Sequence, residues 1–282
     1  MSSFRFVLVC VFISLHSLTP IFAEGHWDNI LPEKKENTDY FVFGENVNIR
    51  EKTDLKSKVI KKLQPGDKVK VLQKTKSLLT QDKIKEYWYK IKTDKEEGYV
   101  WGSLLADYQF TVGKHTILAR NLGPIREGIE LKSVKDRKVI SELKLAPGPV
   151  GNEAWGVVSY ESVAFKPNPG TLFGLKHFVF SEIEYGYTNE TIISIDQEGK
   201  LSGHFSWLAG SCDPPACAES WLVFPNQTLP ADSKIKRKTY KGHPNTILEV
   251  SRNYDIEDES ATEYYERHHI WNGRTFQEKR GD

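Results

Sequence analysis

The 282-residue sequence predicts a mainly β protein in two parts, a small barrel followed by a larger antiparallel β-rich domain of sandwich, barrel or propeller-like form. Three observations carry this. Short runs that alternate apolar and polar side chains recur from Tyr40 onward, the period-two signature of strands with one buried face. No window holds an apolar stripe of helical period over three turns. Gly, Pro, Asn and Asp punctuate the runs at a spacing of roughly ten residues, as antiparallel strands joined by short turns require.

Composition bounds the rest. Hydrophobic content of 39% and charged content of 27% describe an ordinary globular chain, long enough for about two domains and a core of its own. A net charge of +1 argues against a chain built as a whole to bind nucleic acid. At the start, Arg5 precedes the apolar run Phe6 to Leu15, and Leu18, Pro20, Ile21 and Phe22 lead to Ala23. A basic end, a short apolar segment and a small residue follow in the order of a secretory signal, so residues 1–23 are expected as a signal peptide cleaved near Ala23. A retained anchor is the alternative, but the apolar run is shorter than the roughly 20 residues that span a bilayer. A lipid on Cys10 is disfavoured by the bulky Val9 before it. No later segment is long and apolar enough to cross a membrane. The expected location is extracytoplasmic, periplasmic or secreted. Residues 24–39, with Pro32 and the run Glu33-Lys34-Lys35-Glu36-Asn37, read as a polar, mobile leader.

The barrel then takes shape in order. Tyr40-Phe41-Val42-Phe43 stops at Gly44, and Val47 and Ile49 alternate against Asn48 and Arg50. Gly66-Asp67 supplies a turn into Lys68-Val69-Lys70-Val71-Leu72. After a lysine-rich insertion from Lys74 to Glu86, Tyr87, Tyr89 and Ile91 share one face and Trp88 and Lys90 the other. Gly98 is read as a tight turn into Tyr99-Val100-Trp101. Five short strands in so few residues suggest a small barrel.

Four pieces in this order resemble the bacterial SH3 domain family over about residues 45–106: Asn48-Ile49-Arg50, Leu63 to Leu72, Trp88-Tyr89-Lys90-Ile91 and Gly98-Tyr99-Val100. The resemblance implies an SH3-like barrel over residues 40–107, a binding or targeting module without catalysis, often on exported proteins at the peptidoglycan or cell envelope. Two departures lie where a ligand would touch. Glu51-Lys52-Thr53-Asp54 follows Arg50 where Gly-Pro or Ser-Pro is common, and the insertion from Lys74 to Glu86 replaces a tight loop. Lys56, Lys58, Lys61, Lys62, Lys68, Lys70, Lys74 and Lys76 crowd the first half of the module. They form either a basic face for an anionic envelope polymer or a solvated surface that keeps the barrel soluble. Tyr87, Trp88, Tyr89, Tyr99 and Trp101 would give a stacking platform for a sugar or peptide, with some of them needed to fill the barrel. Trp88 and Trp101 are expected as the exposed pair, beside Tyr87 and Tyr99, with Lys68 and Lys70 as basic contacts.

Asp107 to Lys114, carrying Gly113, reads as the boundary, and residues 115–282 as a β-rich domain of no recognised family. Ile129 to Val134 and Val139 to Leu143 form a hairpin across Lys135-Asp136-Arg137-Lys138. Pro147-Gly148-Pro149 and Lys166-Pro167-Asn168-Pro169-Gly170 break the chain. Strand-like runs follow at Phe178 to Tyr187, Thr191 to Ile195, Leu201 to Trp207, Trp221 to Phe224, Ile235 to Tyr240, Ile247 to Arg252 and Tyr264 to Trp271. Asp196-Gln197-Glu198-Gly199 and Asn272-Gly273 are compact turns.

With Cys10 removed, Cys212 and Cys217 are an even pair in an exported chain and are expected to form a disulfide around Asp213-Pro214-Pro215-Ala216. Their four-residue spacing is wrong for a redox pair, and only His204 lies near enough in sequence to join a zinc site, so no metal and no cofactor are expected. His268 and His269, adjacent in a strand, point to opposite faces. Asp255, Glu257, Asp258 and Glu259 lack the ligand order of a calcium loop.

Two functions remain. The first is a non-catalytic envelope protein whose barrel binds peptidoglycan, a peptide or an anionic surface, with the larger domain as a second interaction or structural unit. The second is a wall-targeted hydrolase. The sequence disfavours it, because no cysteine sits on a helix before a sheet histidine and the histidines are scattered.

Overall fold

The computed structural model describes residues 33–82, 84–122, 128–145, 152–160, 162, 164–180, 186–231, 238–258 and 262–280. The expected signal segment, the start of the leader, the Pro147-Gly148-Pro149 break and the first half of the Ile235–Tyr240 run lie outside them. No helix among the described residues is long and apolar enough to cross a membrane.

The small barrel is a six-stranded antiparallel sheet of β1 (Asp39–Phe41), β2 (Val47–Arg50), β3 (Val59–Leu63), β4 (Lys68–Gln81), β5 (Ile84–Lys92) and β6 (Glu97–Trp101), in the order β1-β4-β5-β6-β2-β3. Alternation along each strand sends Val47, Ile49, Leu63, Val69, Val71, Tyr89, Ile91 and Val100 inward, where they meet Val42 and Leu105 in one core. The turn before β4 is set by Gly66 at φ 84° and by Asp67, whose carboxylate accepts the Gln64 N–H at 2.9 Å.

Three expectations need correction here. The insertion from Lys74 to Glu86 is not a loop: it lengthens β4 and β5 into a long hairpin, with Asp82 at φ 51° in its turn. Gly98 is not a turn residue but lies inside β6 opposite Ile91. A Cβ there would come within 2.5 Å of Ile49 Cγ2, so glycine serves close strand packing. The leader is not mobile to its end, since Lys34 is buried and Asn37 donates its N–H to the Val71 carbonyl at 2.8 Å.

Residues 108–114 are the opening hairpin of a four-stranded sheet, ordered β10-β9-β8-β7, made of β7 (Tyr108–Val112), β8 (His115–Asn121), β9 (Ile129–Lys135) and β10 (Lys138–Leu145). Asp136 and Arg137, at φ 50° and 63°, make the predicted β9–β10 hairpin turn.

The largest sheet has eight antiparallel strands: β11 (Asn152–Tyr160), β12 (Thr171–Phe180), β13 (Gly186–Ile195), β14 (Leu201–Asp213), β15 (Ala216–Val223), β18 (Thr246–Asp255), β19 (Glu263–Trp271) and β20 (Phe276–Arg280). The run read as Phe178 to Tyr187 begins in β12 and ends in β13, with residues 181–185 outside the described ones. A short pair, β16 (Thr228–Leu229) and β17 (Tyr240–Lys241), lies over Val223, Leu248 and Val250.

Sheet stacking follows the buried faces. Ile117, Ala119, Ile129 and Leu131 of the four-stranded sheet pack on Phe173, Leu175, Ile193 and Ile195 of the large one. Leu118 and Val134, on the opposite face, pack on Phe43 and Ala106 of the barrel. The large sheet curls back on itself: Leu172, Ile192 and Trp207 from its first half share a core with Phe224, Ile247, Trp271 and Phe276 from its second. The ring of Phe205 stacks on His269 at 3.7 Å, and β14 and β15 pair only from Gly210 to Asp213 and Ala216 to Glu219. The larger part is thus antiparallel β, with its eight-stranded sheet curled toward a half-barrel.

Candidate binding site

Strand order brings the barrel's aromatics close without making them a platform. Trp88 and Trp101 are opposite each other on β5 and β6. They are 4% and 6% exposed, because Ile84, Leu79 and Leu104 cover them. The expected exposed pair is therefore a buried one, roofed by the lengthened β4–β5 hairpin that a loop would have left open. Trp101 donates its indole N–H to the Glu86 carbonyl at 3.1 Å, which satisfies its one polar atom. Tyr99 packs against this tryptophan cluster and Tyr87 against the barrel core, both half-buried, so they belong to different faces. Lys74 lies 4.2 Å over the Tyr87 ring.

Lysine exposure matches the sequence reading better. Lys56, Lys58, Lys62, Lys68, Lys70 and Lys76 are exposed. Lys68 pairs with Asp39 at 2.7 Å and Lys74 with Glu33, so acidic neighbours offset part of the basic face. Lys61 and Lys62 lie on β3, an edge strand of the barrel sheet, where charge also discourages strand-to-strand aggregation.

One polar cluster escaped the sequence reading. Lys34, from the segment before β1, sends its ammonium to Asp107, just beyond the barrel. Its main-chain N–H donates to the Tyr89 hydroxyl at 3.1 Å, and that hydroxyl donates to Glu86 Oε1 at 3.2 Å. Glu86 is fully buried and its Oε2 has no hydrogen-bond partner. Burial pushes its carboxyl up to about 7, against the opposing pull of Lys34. Gly102 permits this packing, since a Cβ there would come within 2.5 Å of the Tyr89 ring. The sequence signal was Glu86 at the same strand parity as Ile84 and Trp88, which puts it on their buried face.

The larger part holds two comparable groups. Glu190 is fully buried across Gly174, receives the Tyr160 hydroxyl proton and lies 3.7 Å from the Lys176 ammonium; burial raises its pKa. Glu249 and His269, both buried, are joined at 2.9 Å, with Arg267 at 3.6 Å from the other carboxylate oxygen. His268, half-buried, falls on the other face as expected. Burial pushes His204 down to about 4. A cleft of about 250 Å³ opens between the four-stranded and eight-stranded sheets, lined by Tyr108, Phe110, Ala119, Ile129, Val157 and Leu175. Asp255 folds into a turn, accepting the N–H groups of Glu257 and Asp258 on one oxygen. Cys212 and Cys217 form a disulfide across the β14–β15 hairpin, directly opposite each other in register. No group of three or more His, Cys, Asp or Glu side chains among the described residues is placed to hold a metal ion.

Residues 45–106 match the bacterial SH3 domain family. No curated protein and no solved structure matches the chain.

Proposed function

We propose that the protein is a non-catalytic, exported component of a bacterial cell envelope. Its SH3-like barrel binds peptidoglycan, a peptide or an anionic surface polymer, and the larger β-rich part serves as a second interaction or structural unit. The observation that carries this is the bacterial SH3 match over residues 45–106. Exposed Lys56, Lys58, Lys62, Lys70 and Lys76 around that barrel suit an anionic ligand. The Cys212–Cys217 disulfide fits an oxidising compartment. With Trp88 and Trp101 buried, ligand contact falls to the lysines and to the exposed parts of Tyr87 and Tyr99.

Sedimentation of the full mature chain with purified peptidoglycan tests the proposal. Pelleting at low salt that weakens at high salt is expected, because surface charge pairs are screened. A chain that stays in the supernatant at low salt removes the wall-binding reading.

A further inference from the structure

The side chain of Lys34 is only 2% exposed, yet its residue belongs to no strand of the barrel and precedes the matched domain. Its ammonium pairs with Asp107, while the Lys34 main-chain N–H donates to the Tyr89 hydroxyl and that hydroxyl donates to Glu86, which brings two carboxylates to one recess. A buried ammonium needs acceptors for its N–H groups, and a buried carboxylate oxygen needs a donor. Glu86 Oε2, fully buried and unpartnered, leaves an acceptor in the recess beyond those in use. Asp107 also holds the junction, accepting the Asn121 N–H at 2.7 Å on its second oxygen.

The strap that delivers Lys34 is held lightly at its start. Main-chain pairing with the barrel begins at Asn37. Residues before it are fixed through side chains: Glu33 on the Lys74 ammonium, the Lys35 N–H on the Tyr40 hydroxyl at 2.7 Å, and Glu36 on the Lys74 N–H at 3.0 Å. Withdrawal of residues 33–35 therefore breaks no strand ladder and leaves a pocket with two carboxylates and a hydroxyl.

We propose that Asp107, with the unpartnered Glu86 carboxyl beside it, forms a binding site for a primary ammonium group, which the protein's own Lys34 fills in cis and which an amine-bearing side chain of a peptide ligand fills when the strap withdraws. The strap is then a built-in competitor, and occupancy by ligand is coupled to its release. The proposal deepens the reading of the barrel as a binding module by naming one chemical group of its ligand. It does not require that the ligand be peptidoglycan.

The test uses the full chain with Lys34→Ala and n-propylammonium, which replaces the lost part of the side chain. Tetramethylammonium, of equal charge but without N–H donors, is the control. Binding is followed by the indole N–H resonance of Trp101, whose acceptor is the Glu86 carbonyl. The expected result is saturable binding of propylammonium at least about tenfold tighter than by the wild type. Adding Glu86→Gln to the variant should reverse most of that gain. Equal response to the two ammonium ions, or no difference between variant and wild type, overturns the proposal. If the alanine variant does not fold, propylammonium is expected to restore the Trp101 resonance, and failure to do so overturns it as well. Peptidoglycan enters none of these measurements, so loss of wall binding and loss of amine binding are separate outcomes.

Discussion

Burying a carboxyl without a full set of donors favours its neutral form, and Glu86 meets that condition with one oxygen unpartnered. Because its pKa is raised in the folded state, from the usual 4.5 to about 7, the folded chain holds this proton more tightly than the unfolded one. The stabilisation is complete below the unfolded value and is lost as pH rises through about 7, an effect of about 3 kcal/mol. Glu190 acts in the same sense, since burial raises it too. The difference between wild type and Glu86→Gln isolates the first group. Urea unfolding at pH 5 and pH 8 should show the variant losing less stability than the wild type across that interval; equal losses would dismiss Glu86 as the titrating group. His204 tells the opposite story, held neutral by burial in the large sheet, where its Nε2 meets the Ser194 hydroxyl at 2.8 Å.

At the scale of the element, the β4–β5 hairpin decides what the barrel can show to a ligand. Ile84, 4% exposed, seals Trp88 and Trp101 from water. Ile84→Ala removes three methyl and methylene groups from that lid and is expected to cost about 2–4 kcal/mol. Near-UV circular dichroism should lose part of its tryptophan signal before the unfolding transition. An unchanged spectrum would mean that the lid does not order the indoles. Much of the barrel was legible in the sequence because Val47, Ile49, Val69, Val71 and Ile91 alternate cleanly and all reach one core. The hairpin was not, since its lysines, Ser77 and Thr80 read as solvated loop and only Leu79 and Ile84 hint at a buried stripe. Alternation placed Trp88 and Tyr89 on different faces but could not say that both faces are covered. In the larger part, the turns at Asp136-Arg137, Gly199 and Gly273 all fall between antiparallel strands as read, each with a positive φ. The Glu86–Lys34–Asp107 cluster was invisible for another reason: its members lie 21 to 73 residues apart, and nothing local in the sequence pairs them.

For the whole molecule, the central question is how the barrel meets the rest. Phe43 stands at that junction, 1% exposed, packed on Leu118 and Val134. Arg120 and Lys132 lie over its ring at 4.5 and 4.8 Å. Around it, Arg120 donates to the Ser103 carbonyl at 2.7 Å, and Arg137 reaches across to Asp67 at 2.6 Å. These contacts predict that barrel and sheets unfold in one calorimetric transition. Phe43→Ala, at a cost of about 3–5 kcal/mol, should separate the barrel's transition from that of the sheets. A wild type already melting in two steps would show that the junction does not couple them.

The four-stranded sheet touches the barrel with one face and the large sheet with the other. A load applied at the barrel therefore enters the remainder of the chain through packed side chains and ion pairs, without crossing a slack tether. Whatever the barrel grips, the disulfide-closed β14–β15 hairpin is then presented at a set distance and heading from it. Packed in this way the two parts form a bracket, in which fixing one end would set the heading of the other.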